Sequence, residues 1–112
     1  GGATLVVELY GSDDAGYFAE DRGGQVMCDG ILRDYGPGTR LALAPGECVT
    51  LRPGDWHAFW GDGGDVLIGE VSTVNDDETD NIFREPIGRF ATIEEDEAPV
   101  HLLVSDYAQR LA

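Results

Sequence analysis

The chain has 112 residues, 42% of them hydrophobic, with 22 acidic side chains against 7 basic ones and a formal net charge of -15. A domain of this size buries roughly 65% of the surface its unfolded chain exposes, and the apolar fraction is that of a globular protein rather than a disordered one. The anionic balance excludes nonspecific nucleic-acid binding and disfavours anionic membranes, since both need a cationic surface, and the absence of lysine removes Schiff-base chemistry from these residues.

No stretch reaches the roughly 18 apolar residues of a membrane span, and no basic segment followed by an apolar core marks a signal peptide. Cys28 and Cys48 are too few for a disulfide scaffold and match no zinc spacing, so free thiols in a reducing cytoplasm are expected. A neutral soluble metabolite suits the field of such a protein better than a phosphate-rich polymer.

Taken in order, the chain reads as short strands. Residues 4–10 (TLVVELY) are β-branched and aromatic, which favours a strand. Residues 11–24 are rich in glycine and acid and read as an irregular loop, with a short strand possible only around Tyr17 and Phe18. QVMC and ILRDY flank Asp29-Gly30, a strong signal for a two-residue hairpin. TRLALAP, closed by Pro45-Gly46, is the next strand, and CVTL follows before Pro53-Gly54. WHAFW then leads to a turn at residues 61–64, and DVLIGEVS starts a further strand. Regular punctuation of this kind argues for a barrel or sandwich rather than alternating β and α units. Residues 73–99 form a long excursion without clean periodicity, which in a compact domain is usually functional. VHLLVSDY resumes as a strand, and AQRLA is a short helical end.

In an extended WHAFW, His57 and Phe59 face one way while Trp56, Ala58 and Trp60 face the other. A bare strand histidine is more often satisfied in a core than used as a ligand. The Pro-Gly-x-x-His context shifts the balance, because the turn aims the imidazole at a barrel mouth. Glu70 interrupts an apolar stretch, sharing a strand face with Val66, Ile68 and Ser72; a carboxylate there must be paired, bound to a metal, protonated or solvated. Glu8 poses the same question and is solvated if the even positions of its strand face outward. NDDETDNIF lacks the glycine and the terminal glutamate of a calcium loop. IEEDE reads as a solvated acidic face, and His101 in VHLLV as a core or surface residue. No serine nucleophile elbow, phosphate loop or dinucleotide fingerprint is present.

The run PGDWHAFWGDGGDVLIGEVSTVNDDETDNIFREPIGRFATIEEDE, with LVVELY before it and LLVSDY after it, resembles the C-terminal half of the D-lyxose ketol-isomerases. These are cupin-fold sugar isomerases that use a divalent metal, usually manganese. The resemblance implies an all-β, jelly-roll-like double-stranded barrel, incomplete at its N-terminus, with a metal in its mouth. It implies a single domain over residues 1–112 that is the C-terminal part of a longer chain, inactive by itself. It places His57 at the position of the metal-binding histidine of the second cupin motif. The first motif, His-x-His followed by a glutamate, has no counterpart here.

On this reading the reaction interconverts D-lyxose and D-xylulose, with D-mannose and D-fructose as a further pair, by proton transfer between C1 and C2. Glu70 is the acid/base candidate. Asp77, Asp80, Arg89 and Trp60 are candidates for binding the sugar, and Phe59 and Trp56 for its apolar walls. The expected partners are a neutral sugar and a second copy of the chain in a cytoplasmic homodimer. The rival readings are a non-catalytic cupin, acting as a sugar-binding or oligomerisation module, and a cupin oxygenase holding iron on similar ligands.

Overall fold

The computed structural model describes residues 1–73, 82–85, 96–98, 100 and 101. The chain divides into two compact units, Gly1–Asn75 and Asp76–Ala112, and every strand described below belongs to the first. The expected excursion, the strand over VHLLVSDY and the helical end at AQRLA lie wholly or largely outside the described residues.

Six strands follow one another: β1 (Gly2–Tyr10), β2 (Gly24–Cys28), β3 (Ile31–Tyr35), β4 (Thr39–Leu43), β5 (Val49–Thr50) and β6 (Trp56–Val66). They form two antiparallel three-stranded sheets, ordered β4-β1-β6 and β3-β2-β5. The fold is all-β, as the alternation of the sequence requires, and is consistent with part of a cupin-like double-stranded barrel. The sheets do not close into a barrel among the described residues. No helix among those residues is long and apolar enough to cross a membrane.

The first sheet is organised by β1, which pairs on both sides. Its odd positions carry the core: Val7 is 2% exposed and Leu9 0%. Residues directly opposite one another in an antiparallel ladder share a face. Thr39, Leu41 and Leu43 of β4 therefore lie beside Leu9, Val7 and Leu5 on the inner side. The second sheet answers with Val26 (0% exposed), Cys28 and Tyr35, and one buried cluster joins both sheets. Leu5, Leu41, Val49 and Leu51 pack around it. Glu8 falls on the outer face, as its even position demands.

The hairpin between β2 and β3 turns at Asp29 (φ 49°) and Gly30 (φ 82°), the two left-handed residues of a type I′ turn. Within the expected loop, Ser12 and Phe18 form an isolated antiparallel bridge.

The main departure from the sequence reading is in β6. The glycine-rich segment at residues 61–64 was expected to turn, yet the strand runs through it to Val66. From Thr4↔Asp62 to Gly2↔Val66, β6 advances four residues while β1 advances two, so the surplus is taken up in a bulge. Gly63 (φ 83°) and Gly64 (φ 153°) supply the backbone angles this needs. The ladder ends one step later, where Gly1 and Leu67 exchange N–H···O bonds of 2.9 and 2.8 Å. Residues 67–73 are consequently not a strand, which removes the expected common face of Val66, Ile68, Glu70 and Ser72.

Because Leu9 is fully buried between the sheets, Leu9→Ala is expected to cost ~2–5 kcal/mol. Urea denaturation of the full-length protein measures it; a loss well under 1 kcal/mol, below the usual range for such a cavity, would place Leu9 outside a packed core.

Candidate functional site

The turn that precedes β6 builds the site. Arg52, Pro53, Gly54 and Asp55 form it, with the Asp55 N–H donating to the Arg52 carbonyl at 3.0 Å. Proline at the second position and a left-handed Gly54 (φ 93°) at the third make it a type II turn. The Asp55 carboxylate locks it twice: one oxygen accepts from the Arg52 N–H at 2.8 Å, the other from the Tyr35 hydroxyl at 2.7 Å. The Arg52 guanidinium reaches the Gln25 carbonyl at 2.8 Å. On the far side, the Trp56 indole N–H donates to Ser12 Oγ at 2.9 Å, and that hydroxyl donates to the Gly54 carbonyl at 2.8 Å.

His57 is thus delivered at the start of β6 opposite Leu9, with Phe59 opposite Val7. Both share the inner face with the core. The buried cluster nevertheless draws its first-sheet members from β1 and β4, and leaves β6 open: His57 is exposed and Phe59 is 54% exposed. Their rings lie parallel within 11°, with centroids 6.2 Å apart. His57 Nδ1 sits 3.3 Å from the Asp55 carbonyl. An imidazole beside an aromatic ring, on an inner sheet face that is open, can present one nitrogen and one apolar surface to a small polar ligand.

Trp60 does not join them. It pairs with Val6 on the outer face, where the Arg40 guanidinium lies 5.2 Å from its ring centroid in a cation–π contact. The two side chains occupy opposite faces, as the alternation of WHAFW requires of residues three apart on a strand. Trp56 is likewise outer, in an aromatic group with Tyr10 and Phe18. Glu70 lies past the end of the ladder and is exposed, so its placement does not come from a core strand. Asp77, Asp80 and Arg89 lie outside the described residues.

Among the described residues, no three His, Cys, Asp or Glu side chains gather closely enough to hold a metal ion. His57 offers a single donor, and one imidazole does not make a metal centre. An open hollow of about 470 Å³ lies against the turn, walled by Ser12, Gln25, Tyr35 and Arg52 among others, and His57 does not line it. Cys28 is buried and Cys48 exposed, and both are free thiols.

A family model described as D-lyxose isomerase matches residues 1–107. The chain belongs to the D-lyxose isomerase family. Within this family it is 47% identical, over 114 aligned positions, to a D-lyxose/D-mannose isomerase of Serratia proteamaculans, covering 100% of this chain and 50% of that protein. It is 43% identical over 111 positions to a D-lyxose/D-mannose isomerase of Escherichia coli O157:H7, covering 97% of this chain and 48% of the other. The chain spans about half the length of the curated relatives it matches. The D-lyxose isomerase family was legible in the sequence from the PGDWHAFWG run onward.

Asp55 and Tyr35 are the residues that reading the sequence missed. The Pro-Gly-Asp triplet signals a turn, but nothing local announces that its carboxylate meets a tyrosine from another sheet. Burial, followed by the bond to Asp55 and its charge, pushes the Tyr35 phenol well above the usual tyrosine range. A proton held more tightly in the folded state stabilises the fold below the ordinary phenol pKa of about 10, and that stability is lost as pH rises further. Denaturation midpoints followed from neutral pH into alkali are expected to fall above about pH 10 in the parent protein. Tyr35→Phe should lack that part of the decline, and an unchanged alkaline slope in the variant would contradict the placement.

Proposed function

We propose that the protein containing this chain is an aldose–ketose isomerase of D-lyxose, with D-mannose as a second substrate, and that this chain contributes His57 to the sugar site. The observation that carries the reading is the position of His57 at the open end of an inner sheet face, next to Phe59. Support comes from the two relatives named D-lyxose/D-mannose isomerase, each matched along essentially the whole of this chain.

In such a reaction a proton leaves C2 of the aldose while the C1 carbonyl oxygen gains one, giving a cis-enediol. Loss of the O2–H proton and protonation of C1 then yield the ketose, with no net change in composition. The imidazole of His57, exposed on this face, is suited to hold a hydroxyl or carbonyl oxygen of the sugar, or a group bound to it. Phe59 offers its ring face to the C–H side of a sugar. Glu70 remains the proposed acid/base, on the argument that a carboxylate is the group suited to abstract the C2 proton. Asp77, Asp80 and Arg89 are proposed as partners of the sugar hydroxyls.

The donors among the described residues do not by themselves fit a divalent metal. Manganese is retained as the ion that the family resemblance implies, with His57 as its single donor among the described residues. A cytoplasmic homodimer is likewise part of the proposal. The strong negative charge accords with a neutral sugar and against a polyanionic ligand.

His57→Ala in the full-length protein is expected to lower kcat/KM for conversion of D-lyxose to D-xylulose by about 100-fold or more. Bound manganese, measured on the same preparations, is expected to fall with it. Activity within twofold of the parent, where a positioned imidazole is worth at least about 100-fold, would remove His57 from the site. Sugar binding without turnover in the parent protein would favour the non-catalytic module instead.

A further inference from the structure

We infer that Asp55 is a positioning residue for His57, held in place by Tyr35, and that together they fix the imidazole in its Nδ1–H form with Nε2 free on the inner face. The inference rests on the reading that His57 works at the sugar site, but its structural content stands apart from the reaction.

The Asp55 carbonyl, 3.3 Å from His57 Nδ1, is only an acceptor, so the nitrogen facing it must carry the proton. In a neutral ring the other nitrogen, Nε2, then keeps its lone pair. That is the tautomer an imidazole needs to accept a proton from a hydroxyl or to bind a cation through Nε2. Free histidine in water favours the opposite form, so the protein must hold the carbonyl in place for this one to prevail.

Three contacts hold it. The Asp55 N–H is bonded to the Arg52 carbonyl at 3.0 Å, and its carboxylate is shared between the Arg52 N–H at 2.8 Å and the Tyr35 hydroxyl at 2.7 Å. Tyr35 is 5% exposed, so packing fixes the hydroxyl that anchors the carboxylate. The same hydroxyl lies 3.3 Å from the Tyr10 carbonyl, at the end of β1, where Tyr10 pairs with Trp56. A single buried phenol on β3 thereby ties the second sheet both to the end of β1 and to the turn that launches β6. A surface aspartate that served only to close its own turn would need no partner in the other sheet.

The test is long-range ¹H–¹⁵N spectroscopy of the histidine rings in the full-length protein, dialysed against a chelator. The pH is about 8.5, where a histidine side chain is ordinarily neutral. His57→Ala assigns the signals. The parent is expected to show the Nδ1–H tautomer at His57. Tyr35→Phe, which removes one oxygen and keeps the ring in the core, is expected to shift the tautomer ratio toward Nε2–H by about fivefold, the ratio one hydrogen bond of ordinary net strength supports. Asp55→Asn, which keeps an oxygen for the Arg52 N–H and an amide for the Tyr35 hydroxyl, should restore much of the parent ratio; Asp55→Ala should not.

Methyl signals of Leu9 and Val26 report whether each variant keeps its core. An Nε2–H tautomer in the parent overturns the inference, whatever the variants do. So does an unchanged ratio in a folded Tyr35→Phe. Should Tyr35→Phe fail to fold, the parent tautomer and the Asp55 pair decide. An Nδ1–H ring in a protein that does not isomerise D-lyxose would retain the positioning and reject the proposed reaction, so the two failures are distinguishable.

Discussion

The register of β1 against β6 is the constraint on which the rest depends. Pairing of Leu9 with His57 and Val7 with Phe59 puts an imidazole and a phenyl ring on the same face as the buried core. A slip of one residue would reverse every side chain of β6, bringing Trp56, Ala58 and Trp60 inward and turning His57 out. Nothing in WHAFW itself forbids the slip, since both alternating sets contain aromatic residues. The choice is made at the two ends of the strand. At one end the Pro53-Gly54 turn, fastened by Asp55, fixes where β6 begins. At the other, the bulge at Gly63 and Gly64 absorbs the surplus length before Val66 meets Gly2.

The inner face of the first sheet is covered unevenly. Over β1 and β4 it is sealed by Val26, Cys28 and Tyr35; along β6 it is open. This division separates the parts that stabilise the fold from the parts free to meet a ligand, and it does so within one sheet. The outer face has its own fastening, through Trp56 on Ser12, the Tyr10–Phe18–Trp56 rings, and Arg40 over Trp60. The tryptophans near His57 therefore lie on the face opposite the imidazole. Membership of the D-lyxose isomerase family gives this arrangement its chemical context.

Much of the fold was legible in the sequence, because period-two alternation and turn residues act locally. ILRDY and its Asp29-Gly30 hairpin came out as read, and the parity of WHAFW correctly separated His57 and Phe59 from Trp56 and Trp60. Two features were not legible, for different physical reasons. Glycines that read as a turn serve equally as a bulge, and only the partner strand decides between them, so β6 was read too short and residues 67–72 as a strand they do not form. Asp55 was passed over because its decisive partner, Tyr35, lies 20 residues earlier and in another sheet. Of the candidate residues, His57 and Trp60 lie on opposite faces as their parity requires, and Glu70 lacks the strand that carried its candidacy.

The most direct test of this account is the face that β6 presents, read from side-chain NOEs in the full-length protein. The account requires the His57 ring to contact the Leu9 methyls, the Phe59 ring those of Val7, and the Trp60 indole the Val6 methyls and the Arg40 side chain. Contacts from Trp60 to Leu5 or Val7, with His57 beside Glu8 or Tyr10, would mean the strand is slipped by one residue and would contradict the placement of the site.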